Sequence, residues 1–356
     1  MPPTRELWEG AMPPTVLCWT LVARMARSHT CALPHLRAPT PPWPVIRSPT
    51  CSRKHDCCDV MSFTGSLLPV FLPVRLGRST AQQDNAATET DPVTAMTRRF
   101  IDLSIFLEND VVSDPEAYRP RIEYIDHERS VPEIAAFFPG LRKEDLPDGE
   151  AWAIERIELI THNGTHLDAP YHFASTMNRG ERAITIDEVP LEWCFQPGVK
   201  LDFRHLPDGY VVTAADVEAE LARIGHRLSP LEIVLVNTRA GSRYGQPDYV
   251  AAGCGMGLEA TLYLLKQGVR LTGTDAWSWD APFVHTREKY LESGDAGLIW
   301  EGHKAGRDTG YCHLEKLHNL EALPATGFTV SCFPVKIRAA SAGWTRAVAI
   351  IDEAGA

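Results

Sequence analysis

Residues 162–173, His-Asn-Gly-Thr-His-Leu-Asp-Ala-Pro-Tyr-His-Phe, constrain the fold more than any other stretch of the chain. They place four side chains that can bind a metal at even spacings: His162, His166, Asp168 and His172. An extended backbone turns every second side chain to the same face. A straight strand would nevertheless hold the first two histidines about 13 Å apart, at roughly 3.3 Å per residue. Ligand atoms of one ion lie almost in contact, because Zn–N bonds are only about 2.1 Å long. The backbone must therefore bend between these histidines.

Two residues of this stretch have special backbone preferences. Gly164 can form the bend without steric cost, and Pro170 fixes a second local direction and keeps the segment out of a helix. We therefore expect a strand end that runs into a tight loop rich in ligands. The helical zinc-protease motif does not fit, since no glutamate follows His162 and both special residues oppose a helix. The alternative, ordinary hydrogen-bonded loop histidines, suits one histidine better than three with an aspartate.

Composition and charge limit the classes of function that this chain can have. The 356 residues can hold one large domain or two ordinary ones, and 44% hydrophobic and 23% charged residues are typical of a soluble globular protein. A net charge of -11 argues against nucleic acid or an anionic membrane surface as the main partner. No uninterrupted apolar run approaches the roughly 18 residues of a membrane span.

Residues 1–95 differ in composition from the remainder of the chain. They hold 13 of the 27 prolines and 5 of the 9 cysteines, with no sustained period of 2 or 3.6. We expect a disordered or non-native N-terminal extension, with Met96 as a candidate start and residues 96–356 as the catalytic domain. A targeting segment is the alternative, but the apolar stretch 16–23 follows Glu6 and Glu9, unlike a secretory signal.

The cysteines and the secondary-structure pattern complete the outline. No CxxC pair occurs, so neither a disulfide framework nor a cysteine zinc site is indicated, and a reducing cytoplasm is expected. Thr213 and Asp216 form a candidate capping box for a helix over 213–224. The predicted strands are 99–106, 154–161, 231–237, 269–275, 327–334 and 345–351, with a second helix at 258–267. Segment 108–150 is long for a connection, contains a candidate short helix near 132–138, and suits a lid. The pattern predicts an α/β fold with a mixed sheet.

The ligand types suggest a hydrolytic metal site with an open position for water. His162, His166 and Asp168 would form a three-ligand shell, and His172 would be a further ligand or a proton-transfer base. A metal lowers the pKa of bound water from about 15.7 to near 7. Two later residues are candidates to complete the site, and spacing alone does not separate them from four rivals. The candidates are His303 and Glu315; the rivals are Glu301, Asp308, His313 and His318.

The pattern His162-x-Gly-Thr-His-x-Asp-x-Pro-x-His-Phe173 resembles the signature of the metal-dependent cyclase/kynurenine formamidase family, which also includes isatin hydrolases. The resemblance covers about residues 99–351. It includes the stretch ending Gly273-Thr-Asp275, the His303–Glu315 pair, the stretch 317–324 and the closing strands. Two features differ from compact bacterial formamidases and would reshape the substrate pocket: a longer segment 107–150, and Trp-Ser-Trp-Asp-Ala-Pro at 277–282.

The resemblance implies a swivelling β/β/α fold and one or two divalent ions, zinc or manganese. It makes His162, His166 and Asp168 metal ligands and His172 a ligand or proton shuttle. It makes His303 and Glu315 second-site ligands or acid/base groups. It also implies a homo-oligomer, a dimer or tetramer, in which the loop after the first strand helps to close the pocket.

Trp277 and Trp279 could wall a pocket for a flat aromatic substrate, although core or interface packing is the more common role. Arg287, Lys289 and Arg307 could hold a substrate carboxylate, although such residues are usually solvated. No Gly-x-Ser-x-Gly setting is present, so a covalent serine mechanism is not indicated.

The expected function is metal-dependent hydrolysis of a non-peptide C–N bond in a small molecule, either an aryl formamide such as N-formylkynurenine, as in tryptophan catabolism, or a cyclic amide. One alternative is a lactone hydrolase or cyclase that uses the same site. The other is an inactive protein with a structural metal. Closed structural zinc sites are usually rich in cysteine, which favours the enzyme.

Overall fold

The computed structural model describes residues 97–353, so the prediction for residues 1–95 lies outside the described part. Within it, six α-helices occur, and none is both long and apolar enough to cross a membrane. The helices are α1 Val131–Phe137, α2 Pro170–Phe173, α3 Ala214–Arg223, α4 Leu258–Lys266, α5 Phe283–Ser293 and α6 Glu301–Asp308.

Fifteen strands occur in the same range, and nine of them form one mixed sheet. The strands of this sheet are β1 Thr97–Asp102, β4 His166–Asp168, β7 Phe195–Asp202, β9 Ile233–Asn237, β11 Leu271–Thr274, β12 Cys312–Glu315, β13 Phe328–Ser331, β14 Ala342–Trp344 and β15 Val348–Glu353. The other six form two-stranded sheets: β2 Arg121–Ile125 with β3 Ile154–Glu158, β5 Thr176–Met177 with β6 Glu181–Arg182, and β8 Val211–Val212 with β10 Gly255–Met256.

The main sheet has the order β1-β15-β13-β7-β9-β11-β12-β4-β14. Its centre is parallel, from β7 through β9 and β11 to β12, and the flanking pairs are antiparallel. Parallel strands are normally covered on both faces, and β9 shows this clearly. Ile233 and Leu235 pack into one buried cluster, whereas Val234 and Val236 pack into a second cluster. The predicted continuous apolar strand is therefore confirmed.

The predicted helices at 213–224 and 258–267 are confirmed as α3 and α4. Thr213 accepts a hydrogen bond from the backbone N–H of Asp216, whose carboxylate accepts one from Thr213 N, as a capping box requires. Val217 and Leu221 lie one turn apart and pack into the same cluster as Leu264 of α4. Both helices therefore cover one face of the sheet.

The segment before residues 162–173, which we call the histidine loop, differs from its prediction in one respect. The strand expected at 154–161 is present as β3, but it pairs only with β2 in a separate two-stranded sheet. Its residues are mostly exposed, so the alternation of its side chains does not reflect packing on the main sheet. The short helix expected near 132–138 is confirmed as α1.

Candidate metal centre

The centre of the site is the pairing of β4 with β12. Their register places His166 opposite Glu315 and Asp168 opposite His313. Alternate residues of a strand point to opposite faces, so these four side chains share one face. The intervening Leu167 of β4 belongs to the buried core on the other face. Two short strands therefore bring four potential ligands together although more than 140 residues separate them in sequence.

His162 joins this cluster through a turn rather than through a strand. Gly164 has a φ of +61°, the left-handed region that glycine adopts readily. An added Cβ there would lie 2.7 Å from Leu107 Cδ2, so the position also requires a small residue. The bend expected between the two histidines is present, and His162 Nδ1 lies 3.3 Å from His166 Nε2.

His172 reaches the cluster from α2, and here the predicted role of Pro170 was wrong. Pro170 begins this one-turn helix instead of preventing it. The first position of a helix tolerates proline, because the N–H that it lacks would have no partner within the helix. His172 Nε2 lies 3.8 Å from Asp168 Oδ2.

His303 lies on α6 and is oriented by Asp280. The Nδ1–H of His303 donates to Asp280 Oδ2, which also accepts from the backbone N–H of His303 at 3.1 Å. Asp280 Oδ1 accepts from the backbone N–H of Gly302 at 2.7 Å. The imidazole Nε2 therefore faces the cluster, 3.7 Å from Glu315 Oε1. A carboxylate behind a histidine is a common arrangement around protein metal sites.

The potential ligand atoms form two groups, and Asp168 belongs to both. Within each group, the atoms lie within 4.8 Å of one another. One group is His162, His166 and Asp168; the other is Asp168, His303, His313 and Glu315. Five of the six residues predicted for the site belong to these groups, and the sixth, His172, lies beside them with its Nε2 3.8 Å from Asp168 Oδ2. The five are His162, His166, Asp168, His303 and Glu315.

The donor set fits a metal ion. Ligand atoms around tetrahedral zinc are roughly 3.3 Å apart, given Zn–N bonds of about 2.1 Å. Asp168 Oδ1 lies 2.9 Å from His162 Nδ1, and Asp168 Oδ2 lies 3.1 Å from His313 Nε2. Both carboxylate oxygens and His313 Nε2 are buried without a hydrogen-bond partner. Buried carboxylates normally have hydrogen-bond donors or a cation beside them, and a divalent ion would serve here.

The imidazole of His166 presents its Nε2 to the cluster. Its Nδ1 lies 2.9 Å from the carbonyl oxygen of Gly164, and a carbonyl can only accept a hydrogen bond. Nδ1 therefore carries a proton, and Nε2 faces Asp168 and Glu315, at 3.3 and 3.6 Å. The neutral ring then bears its lone pair on Nε2. This is the tautomer that a metal ligand needs.

The electrostatics of the cluster keep Glu315 and His172 deprotonated near neutral pH. Burial raises the pKa of Glu315, but contacts with His313 and His166 outweigh it and lower the pKa to about 2. Burial lowers the pKa of His172 to about 4, in spite of the nearby Asp168. Burial also lowers the pKa of His313, but Asp168 and Glu315 raise it to about 9. In the metal-free protein, protonated His313 therefore balances part of the carboxylate charge.

Sequence reasoning left His313 among four rivals, and the structure places it inside the cluster. The other three rivals lie elsewhere: Glu301 accepts from Leu258 N, Asp308 faces Arg179, and His318 packs beside Tyr244. The signal for His313 was its offset of two from Glu315, with apolar residues between and before them. Sequence reasoning assigned no role to Asp280, which it treated only as part of the Trp-Ser-Trp-Asp motif. It predicted neither the contact of Asp280 with His303 nor the stacking of Trp300 on the His303 ring.

A cavity of about 270 Å³ opens beside the cluster and is lined by His162, His172, His303 and Glu315. Most of its apolar wall is aromatic, formed by Tyr118, Trp277, Phe283 and Trp300, and Ile160 completes it. Tyr118 belongs to the segment after β1, so this segment contributes to the cavity wall as expected.

The two tryptophans predicted as candidate walls have different roles. Trp277 lines the cavity, whereas Trp279 is fully buried and lies against the ring of His313, with centroids 5.7 Å apart. None of Arg287, Lys289 and Arg307 is among the described residues that line the cavity, although Arg287 lines an adjoining pocket that shares Phe283 and Trp300 with it.

Comparison with protein families gives a match to the Cyclase family model over residues 101–281, which is half of the chain. The chain belongs to this cyclase family. The matched residues include the histidine loop and the strand ending before Asp275, but not His303, His313 or Glu315. The predicted family is therefore confirmed.

Solved structures with a similar fold include several isatin hydrolases. One, bound to the product analogue thioisatinate, is 21% identical, covers 72% of this chain and 93% of its own, and has a TM-score of 0.56. Isatin hydrolase A from Labrenzia aggregata, bound to benzyl benzoate, is 24% identical, covers 72% of this chain and 94% of its own, and has a TM-score of 0.53. Isatin hydrolase A from Ralstonia solanacearum is 22% identical, covers 71% of this chain and 92% of its own, and has a TM-score of 0.56.

These likenesses establish the fold. A further structure, described as a novel cyclase, is 18% identical over 71% of this chain and 88% of its own, with a TM-score of 0.53. The predicted cyclase-type α/β fold with a mixed sheet is confirmed, and the similar solved structures are hydrolases or cyclases.

Proposed function

We propose that this protein is a metal-dependent hydrolase of a non-peptide C–N bond, in an aryl formamide such as N-formylkynurenine or in a cyclic amide. The observation that carries the proposal is the pairing of His166 with Glu315 and of Asp168 with His313 beside an aromatic-walled cavity. Relatives described as isatin hydrolases support the cyclic amide, since isatin is an amide ring fused to an aromatic ring.

Two groups of residues would hold the metal. His162, His166 and Asp168 would bind one ion; Asp168, His303, His313 and Glu315 are placed to bind a second. Both groups offer the nitrogen and oxygen ligands that suit zinc or manganese. A bound divalent ion supplies an acidic water molecule and an electrophile for the carbonyl oxygen. Since Asp168 directs one oxygen to each group, its carboxylate can serve both.

The other residues of the cavity would bind the substrate and move protons. Trp277 and Trp300 are placed to enclose a flat ring, with the scissile carbonyl directed toward the histidines. His172 lines the cavity and lies within 3.8 Å of Asp168, so it can accept a proton as water adds to the carbonyl. His172 then returns this proton to the leaving nitrogen as the C–N bond breaks; where no second ion is bound, His303 with Glu315 would relay it instead.

The test combines metal content with turnover by the full-length protein. We expect one or two equivalents of zinc or manganese by mass spectrometry, and hydrolysis of formylkynurenine, isatin or simple aryl formamides that chelation abolishes. Bound metal without turnover of any of them would contradict the proposed substrates. If chelation lowers the melting temperature while no amide or ester is hydrolysed, the metal is structural.

A matched aryl lactone separates the alternative reaction. Its scissile bond is C–O, and the ring can otherwise be the same as that of the amide. If the lactone is hydrolysed with a much larger kcat/KM than every amide, the site is that of a lactone hydrolase and the C–N proposal is wrong.

A further inference from the structure

The segment between β1 and β2 is attached to the candidate metal centre through one buried carboxylate. Asp114 is only 3% exposed. Its Oδ1 accepts hydrogen bonds from Lys316 Nζ and, at 3.1 Å, from Trp277 Nε1. Its Oδ2 accepts from Asn163 Nδ2, also at 3.1 Å. These three donors belong to three different loops, so four parts of the chain meet at this side chain.

Lys316 extends the connection to the metal-facing histidine. Its Nζ also donates to the carbonyl oxygen of His162, at 2.7 Å. Its own backbone is held on both sides, by Ala276 O at 3.0 Å and by Thr165 Oγ1 at 2.6 Å. Lys316 has a φ of +57°, a left-handed conformation that is unfavourable for a residue with a side chain. Such backbone strain persists only where the surroundings impose it.

Each group held by Asp114 is adjacent to the cavity or to a candidate ligand. Asn163 follows His162 directly, and its Nδ2 also donates to the carbonyl of Tyr118, at 2.6 Å. Tyr118 and Trp277 are both cavity walls. Apolar contacts could attach a loop at least as firmly, because the loss of hydration of two buried charges offsets much of their attraction. An ion pair with directional hydrogen bonds instead fixes one arrangement.

We infer that Asp114 and Lys316 form a clamp that positions His162 and Trp277 when the segment 107–120 covers the cavity. Both are positioning residues, since they act through the histidine and the indole and not on the reacting atoms. When the segment covers the cavity, the same contacts therefore also place His162. Only the predicted effect on turnover rests on the proposed function; the effects on metal affinity and on the segment do not.

The test compares the double variant Asp114→Ala/Lys316→Met with the control Asn109→Ala in the full-length protein. The double variant removes both buried charges together, which folding tolerates far better than removal of one. Asn109 fastens the same segment by paired 2.8 Å hydrogen bonds with the backbone of Ile122, but it is not among the residues lining the cavity. The measurements are Zn²⁺ affinity of metal-free protein, amide hydrogen exchange over 107–120, and kcat and KM for an aryl formamide.

For the double variant, we expect faster exchange in the segment, Zn²⁺ affinity lower by roughly tenfold or more, and a larger loss in kcat than gain in KM. For Asn109→Ala, we expect faster exchange with Zn²⁺ affinity and kcat close to wild type. A folded double variant with wild-type Zn²⁺ affinity would overturn the inference. An equal loss of affinity in Asn109→Ala would also overturn it, because loosening of the segment would then be sufficient.

Asp114→Asn gives a second variant of the same volume, in case the double variant does not fold. Its amide nitrogen would face either the Nδ2 donor of Asn163, with the loss of one hydrogen bond, or the donors of Lys316 and Trp277, with the loss of two. Unchanged Zn²⁺ affinity in this variant would contradict the clamp. If wild type hydrolyses no substrate, the proposed function fails, while zinc affinity and exchange still decide the clamp.

Discussion

The carboxylate of Asp280 accepts the Nδ1–H of His303 and so directs the opposite ring nitrogen toward Glu315. The same carboxylate accepts two backbone N–H groups at the start of α6. Asp280 therefore both caps the helix that carries His303 and sets the orientation of its ring. The indole of Trp300 stacks on the face of the His303 ring, with centroids 4.6 Å apart, and so restricts the orientation of this imidazole further.

Replacement of Asp280 should weaken the site without removing any candidate ligand. In Asp280→Asn, one oxygen can still accept hydrogen bonds, but the amide nitrogen cannot, so His303 loses its fixed orientation. We expect metal affinity or kcat to fall by about 10–100-fold, as for other partners of ligating histidines. Titration with Zn²⁺ and steady-state kinetics measure this. Asp295→Asn is the control, since Asp295 also caps a helical turn but is exposed and has no described hydrogen bond to a candidate ligand.

His166→Ala should remove metal binding and turnover while the protein stays folded. The side chain is fully buried and faces both Asp168 and Glu315, so both groups of ligands lose a neighbour. Metal analysis, activity and circular dichroism on the same preparation test the prediction. The exposed His205 gives the matched control His205→Ala, which should bind metal as wild type does. Full activity in His166→Ala would be incompatible with the proposed site.

Metal binding should release protons near neutral pH, and His313 should be a main source. Its pKa in the metal-free protein is raised to about 9, so it is protonated at pH 7.5, and an ion that takes its Nε2 must displace that proton. Metal affinity should therefore fall as the pH falls below about 9, by up to about tenfold per unit for one proton. Calorimetry in two buffers of different ionisation enthalpy counts the protons, and His313→Gln should release fewer. An unchanged count would exclude His313 as a ligand.

The same raised pKa makes a prediction for the metal-free fold. A histidine whose folded pKa lies above its ordinary value of about 6.5 stabilises the folded state fully below that pH. This stabilisation is lost as the pH rises through about 9. Urea denaturation in the presence of chelator should show that the free energy of unfolding decreases between pH 6.5 and 9. In His313→Gln, this decrease should be smaller.

Gly306→Ala should destabilise the protein although it improves helix propensity. An added Cβ on α6 would lie 2.4 Å from Cδ2 of Phe173, whose ring stacks on His313. Overpacking of this kind costs about 1–3 kcal/mol, against a gain of about 1 kcal/mol from alanine in a helix. Urea denaturation gives the difference. Arg307→Ala, at the next and exposed position, should change the free energy of unfolding by less than about 0.5 kcal/mol.

Much of the sheet and the covering helices could be predicted because their signals are local. The continuous apolar run of β9 and the capping box of Thr213 and Asp216 are complete within a few residues. The central strand β7 was missed, because Pro197 and Gly198 lie within it and normally argue against a strand. Glycine is required there, since an added Cβ would lie 2.1 Å from the ring of Phe328. That reason is visible only once β13 is in place.

The site shows the same division between local and distant signals. Four ligand candidates could be read from the spacing within 162–173, and the turn at Gly164 followed from the distance that an ion allows. β4 and β12 are only three and four residues long, too short for a period to appear, so their cross-strand register could not be predicted. His303 and His313 were therefore not separated. The homo-oligomer and the cytoplasmic location stay predictions.

β4 has a hydrogen-bonded neighbour on each side, β12 and β14. His166 and Asp168 therefore cannot shift unless the interior of the sheet rearranges. Residues 107–120, which form part of the cavity wall, are joined to the neighbouring loops by side-chain hydrogen bonds of Asp114 and Asn163. An engineer could thus exchange much of residues 107–120 to admit a different substrate and leave the reactive centre intact, provided that a carboxylate remains at position 114.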